Sequence, residues 1–131
     1  MYDPDLPPEY PIEDWLADYT WLCQHSPEVV SDLLNGDISA YVLHFAETRQ
    51  NPFVADFCRR RFVAAMTYLQ NNLDAIDFGK FSVVGTERAL ISKAVIVTLY
   101  RFFVARPDDA IDMPIPPEIF IEELKDTYKN H

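Results

Sequence analysis

Most apolar positions along the chain recur at helical spacing, and one stretch is apolar well beyond a single stripe. Residues 86–105 carry Ala89, Leu90, Ile91, Ala94, Val95, Ile96, Val97, Leu99, Tyr100, Phe102, Phe103, Val104 and Ala105. At about 100° per residue these side chains surround a helix, and a helix apolar on every side must be buried on every side. Thr86 with Glu87 and Arg88 suits a helix start, and Pro107 ends it at or before Arg106. The β-branched run Val95-Ile96-Val97-Thr98 also fits a buried strand, but the length of the stretch and its lack of internal Gly or Pro favour helix. Lys93 and Arg101 leave too short an uncharged run for the roughly 20 apolar residues of a membrane span.

The remaining stretches are amphipathic. Pro11 opens a helix to about Gln24, with Ile12, Trp15, Leu16, Tyr19, Leu22 and Cys23 inward and Glu13 and Asp14 in its first turn; Trp21 falls off the stripe. Ser26-Pro27 and Asn35-Gly36 bracket a short helix over 27–34. Asp37 caps a third helix to about Arg49, burying Ile38, Tyr41, Val42, Phe45 and Ala46. Asn51-Pro52 opens a fourth to about Asn72, with Val54, Phe57, Cys58, Phe62, Ala65, Met66, Leu69 and Leu73 on its stripe. Residues 73–85, with Gly79 and Gly85, read as a connection of undecided structure, and 106–117 as an acidic, Pro-rich linker. Pro116-Pro117 starts a last helix with Ile119, Phe120, Leu124 and Tyr128 as its apolar side. The fold class that follows is all-α: a compact single-domain array of five to six helices around a central buried helix at about 86–105. Residues 1–10 form an extended, acidic, Pro-rich arm, and 11–131 a single helical domain large enough to hold a core without staples.

Charge changes the picture more through its distribution than through its sum of −10. The first 48 residues hold ten acids and no Lys or Arg, residues 49–106 are net +5, and the rest is net −5. One reading is internal compensation, with acidic outer helices over a basic middle. The sharper one is an acidic face offered to a basic partner. That face would comprise Asp3, Asp5, Glu9, Tyr10, Glu13, Asp14, Asp18 and Trp21, with Asp14 and Asp18 one helical turn apart.

Catalytic chemistry finds little footing. Cys23 and His25 point in different directions on a helix, Cys58 lies on an apolar stripe, and nothing beside His44 in the sequence marks it as a base. Asp108, Asp109 and Asp112 would suit Mg²⁺ only on one helix face, and they fall in the linker. Arg59-Arg60-Arg61 splay over about 200° and the pI is near 4.5, against direct nucleic-acid binding; these arginines are read as pairing with acids of neighbouring helices. No metal, cofactor or catalytic set is assigned. The two cysteines lack disulfide spacing and the N-terminus lacks a signal peptide's pattern, so the expected compartment is the cytoplasm, with no membrane association.

Between Phe57 and Phe103, Arg60-Arg61-Phe62 and the Asp77-Phe78 that follows Asn71-Asn72 faintly resemble small helical domains encoded on plasmids and phages. The resemblance covers about a third of the chain and implies no transferable function. The expected function is therefore a small, acidic, non-catalytic protein that occludes a protein partner, itself basic or nucleic-acid-handling, in the manner of inhibitor, immunity or anti-defence proteins. The alternatives are a structural or self-assembling module, such as a homodimer through exposed aromatics like Trp21, and an enzyme with an unrecognised site around His44.

Overall fold

Prolines and their neighbours set three of the helix starts. Pro11 immediately precedes the first helix and its carbonyl accepts from the Trp15 N–H at 3.1 Å. Pro52 and Pro117 each occupy a first helical position, where the missing N–H costs nothing. Asn51 caps the helix that Pro52 opens, its Oδ1 accepting from the Phe53 N–H at 2.9 Å. The computed structural model describes residues 8–25, 28, 32, 36, 38–72, 88–107, 110–111 and 113–129. The fold is all-α: among the described residues there is no strand, and the helices are α1 (Ile12–His25), α2 (Ser39–Thr48), α3 (Pro52–Asn71), α4 (Arg88–Phe103) and α5 (Pro117–Lys129). No helix among them is long and apolar enough to cross a membrane.

Most of the expected helix over 27–34 and the connection over 73–85 lie outside the described residues, as do Asp108, Asp109 and Asp112. Gly36 is described, with φ +87°, a left-handed conformation that glycine adopts without a Cβ penalty. The Asp37 cap falls outside the described residues; the cap position of α2 is Ile38, which offers no side-chain bond to the helix. At its other end Arg49 is extended, with φ −130° and ψ 121°, and its N–H donates to the Phe45 carbonyl.

The chain divides into two compact units, 1–63 and 64–131, the boundary falling inside α3. The first unit has an aromatic core. Phe62 is fully buried and meets Trp15, Tyr41 and Phe45 at centroid distances of 5.6, 5.4 and 5.5 Å, edge-on or tilted, the arrangement ring quadrupoles favour. The stripe that α2 turns inward is Tyr41, His44 and Phe45; Val42 and Ala46, read as inward from the sequence, are exposed. Cys23 is likewise exposed and leaves the α1 stripe to Trp15, Asp18 and Leu22.

In the second unit α4 packs against α5. Tyr68, in the last third of α3, contacts Phe103 and Phe120, both at 5.4 Å. α4 buries Ala94, Val95, Ile96, Thr98, Leu99 and Phe103. Lys93 and Arg101 are exposed and Val97 and Tyr100 half-buried, so from residue 93 onward the helix is buried over most of its girth while Lys93 and Arg101, eight residues apart, keep one strip open. Two buried hydroxyls between α4 and α5 are satisfied: Thr98 donates to the Ala94 carbonyl at 2.7 Å, and Thr127 accepts from Arg101 at 2.9 Å. On α5 the inward set is Phe120, Leu124 and Thr127, while Ile119 faces solvent.

Candidate functional site

The site grows from one carboxylate on α1. Asp18 lies one turn after Trp15 and one before Leu22, on the buried stripe, and is 2% exposed. A buried carboxylate is stable only when paired and hydrogen-bonded. Three segments supply the partners. The Tyr10 hydroxyl, two residues before α1, donates to Asp18 Oδ2 at 2.5 Å. Arg49, just past the end of α2, donates from one terminal nitrogen to Oδ1 at 3.0 Å and from the other to Oδ2 at 2.8 Å, a bidentate fork. His44 Nε2 lies 2.7 Å from Oδ1 and must carry the proton, because a carboxylate can only accept. Four donors therefore fill the four acceptor positions of one side chain.

The surroundings hold this set in place. The Arg49 guanidinium sits 5.3 Å from the Tyr10 ring centre and 4.9 Å from that of Phe45. It also donates to Thr48 Oγ1 at 2.8 Å, while the Thr48 hydroxyl donates to the His44 carbonyl at 2.8 Å. Trp21 stacks on His44 at 4.1 Å and on His25 at 4.4 Å. Burial works against the Arg49 charge, but the Asp18 hydrogen bonds and negative charge more than offset it and raise the group above its ordinary value. Burial and then the Asp18 charge push the Tyr10 phenol far above its usual range, so it stays a donor.

Two cavities flank Arg49. One, of about 320 Å³, is lined by Asp14, Ala17, Asp18, His44, Thr48 and Arg49. The other, of about 250 Å³, is a groove between α2 and α3 with Val42, Phe45, Ala46, Pro52 and Ala55 as its apolar walls. Beside that groove Val42, Leu43 and Phe53 are exposed, Phe53 by 70%.

Of the residues assigned to the acidic face, Glu9, Glu13 and Asp14 are exposed and Asp3 and Asp5 lie outside the described residues. Asp18 and Tyr10 are corrections: both are buried and bonded to each other, so α1 does not present Asp14 and Asp18 together. Trp21 is half-buried in its imidazole stack and is not an exposed aromatic. The arginine triplet reading is corrected at Arg59, whose ion pair lies within its own helix. Arg59 and Arg60 both pair with Asp56 on their own helix, at 2.6 and 3.1 Å, and Arg61 is buried over the Phe57 ring at 4.2 Å. Arg49 is the site residue that the sequence reading did not mark, and His44 entered it only as the centre of the enzyme alternative. The available signal was that Arg49 is the lone Lys or Arg before Arg59.

Chemically the cluster is saturated at Asp18 and holds no activated nucleophile among the described residues. The Thr48 hydroxyl is committed to a carbonyl, and burial pushes the Cys58 thiol from its ordinary 9.0 to about 11, far from a thiolate at neutral pH. The described residues contain no group of three His, Cys, Asp or Glu able to hold a metal ion. The same burial has a consequence at alkaline pH. Cys58 is held near 11 against 9.0, and Tyr41 near 12 against 10.0, so both neutral forms favour the folded state. Their contribution is complete below the unfolded values and lost as pH rises through the folded ones. Urea midpoints should thus fall progressively from about pH 9 to about pH 12, and Cys58→Ser should remove the lower part of that fall. A midpoint flat across this window would contradict the burial of these groups.

The chain is thus an all-α protein whose first unit joins a buried Asp–His–Arg–Tyr cluster to exposed acids. No family model, curated protein or solved structure matches it.

Proposed function

We propose that this is a non-catalytic binding protein that occludes a basic protein partner through the acidic surface of its first unit. One observation supports the reading above others. Arg49 is the only Lys or Arg in the first 58 residues, and it is turned inward on Asp18 with its side chain 11% exposed. The exposed acids Glu9, Glu13, Asp14, Glu28, Asp32 and Glu47 thus have no countercharge from their own segment, while Arg59, the next cation along the chain, bonds Asp56 of its own helix. An unbalanced negative surface raises the encounter rate with a positive partner and ties affinity to ionic strength.

The test is capture by the immobilised full chain from its native host, eluted first at low and then at high salt. A basic protein released by salt is expected. Glu9→Lys with Glu13→Lys, both exposed, should reduce its capture about tenfold or more while leaving the urea midpoint unchanged. Capture that ignores both salt and charge reversal would refute the reading. A second reading, self-association, is favoured by the exposed Val42, Leu43 and Phe53 beside the α2–α3 groove. Sedimentation over a wide concentration range separates the two, a strict monomer excluding the second.

A further inference from the structure

Self-association gains a defined geometry from the groove between α2 and α3. The groove, of about 250 Å³, has Val42, Phe45, Ala46, Pro52 and Ala55 as its apolar walls. Two large apolar side chains stand beside it in solvent, Leu43 of α2 at 59% exposure and Phe53 of α3 at 70%. Each comes one position after a lining residue, Val42 or Pro52, and so lies about 100° around its helix from the groove wall. A receptacle and a protruding ring therefore share one region of the first unit. The receptacle is large enough, since a cavity of about 150 Å³ already holds a benzene ring.

Symmetry selects the occupant. An isologous interface needs one patch that carries both the knob and the hole, because each copy gives and receives the same contact. A foreign partner would require no such pairing of features on this chain. Charge points the same way. The chain carries −10 overall, so two copies approach most easily through a face where acids are matched by cations. Around α1 the exposed acids are Glu9, Glu13 and Asp14, with no Lys or Arg before Arg49. At the groove both signs occur: Arg49, Asp56 and Arg59 line it, Arg60 also bonds Asp56, and the exposed Glu47 stands one turn beyond Leu43. A face of mixed sign can meet its own copy with opposite charges opposed, which a purely acidic face cannot.

We propose that two copies of this chain pair about a two-fold axis through this face, the Phe53 ring of each entering the α2–α3 groove of the other. The assignment rests on the self-association reading and specifies its surface and symmetry. Area sets the strength. Phe53, Leu43 and Val42 together offer about 300 Å² of apolar surface per copy, which even with a polar rim of similar extent falls short of the roughly 800 Å² that each partner of a stable complex buries. The dimer is therefore weak, with a Kd on the order of 100 μM.

The test is sedimentation equilibrium of the full chain from about 5 to about 500 μM, at about 50 mM and about 500 mM salt. A monomer–dimer equilibrium is expected, tightened about threefold by the higher salt, because screening weakens the repulsion between two acidic chains. Salt acts with the opposite sign on capture of a basic partner, so one variable separates the two kinds of binding. Phe53→Asp, at an exposed ring, should weaken dimerisation about tenfold or more. Ala46→Trp, which fills the groove from an exposed position, should do the same, with urea midpoints unchanged for both variants. A mixture of the two variants pairs an intact ring with an open groove once per dimer, and should associate more tightly than either variant alone. Dimerisation that ignores both substitutions would overturn this surface and leave self-association standing through another. A strict monomer over the whole range would overturn both. Growth beyond the dimer with concentration would reject the two-fold, since an isologous contact closes on itself.

Discussion

Asp18→Asn is expected to lower the stability of the folded chain by about 3–5 kcal/mol, the cost of removing one member of a buried charge pair. The substitution is nearly isosteric, so the loss would not come from packing. It would come from Arg49, whose guanidinium keeps its burial but loses the carboxylate that accepts from two of its nitrogens. The Asn amide nitrogen would also meet donors from Tyr10, His44 or Arg49 where an acceptor stood. Thermal unfolding should report a drop of roughly 10–20 °C for a chain of this size. Pairing the change with Arg49→Met should cost clearly less than the two single changes added, with a coupling of about 1–3 kcal/mol, because each breaks the same link. A loss below about 1 kcal/mol for Asp18→Asn would mean the cluster is solvated and not a determinant of the fold.

Phe62→Ala is expected to be comparably severe, at about 3–5 kcal/mol, from lost apolar transfer and the cavity left behind. Phe62 is fully buried, and Trp15, Tyr41 and Phe45 all bear on its ring from α1 and α2. Each ring pair adds about 0.5–1.5 kcal/mol beyond area burial, so the alanine variant loses shape and area together. Phe62→Leu keeps most of the apolar volume and should be milder. Urea denaturation followed by near-ultraviolet circular dichroism measures both the midpoint and the ordering of the surrounding aromatics. An unchanged midpoint for Phe62→Ala would mean that this ring cluster is not the core of the first unit.

How far these features could be read from sequence depends on the kind of signal. Helix starts at Pro52 and Pro117 were legible because proline at a first helical position has one local cause, a fixed φ and no N–H to satisfy. The rotation of α2 was not. Tyr41, Val42, Phe45 and Ala46 form as good an apolar stripe as Tyr41, His44 and Phe45, and spacing alone prefers the former. What turns the helix is the bond from His44 to Asp18, 26 positions earlier, which no local window contains. The buried role of Asp18 was half visible, since it falls between Trp15 and Leu22 on the inward stripe. Composition argued for solvent, and a carboxylate's ordinary preference prevailed in the reading. The open strip on α4 had a plainer cue in Lys93 and Arg101, which share a face eight residues apart. Apolar content outweighed it.

Asp18 also bears on how the first unit assembles in time. Its partners stand 8, 26 and 31 residues away, so a single side chain closes three loops of different length. α2 has ten residues and no side-chain cap, too little to persist alone. It gains its place only when α1 is already formed and offers the carboxylate. Short, weak helix and distant anchor should therefore appear and vanish as one cooperative unit, with the Tyr10 segment released in the same event. A protease acting on transient openings would meet the Tyr10 segment, α1 and α2 either all closed or all open, never one parted from the others.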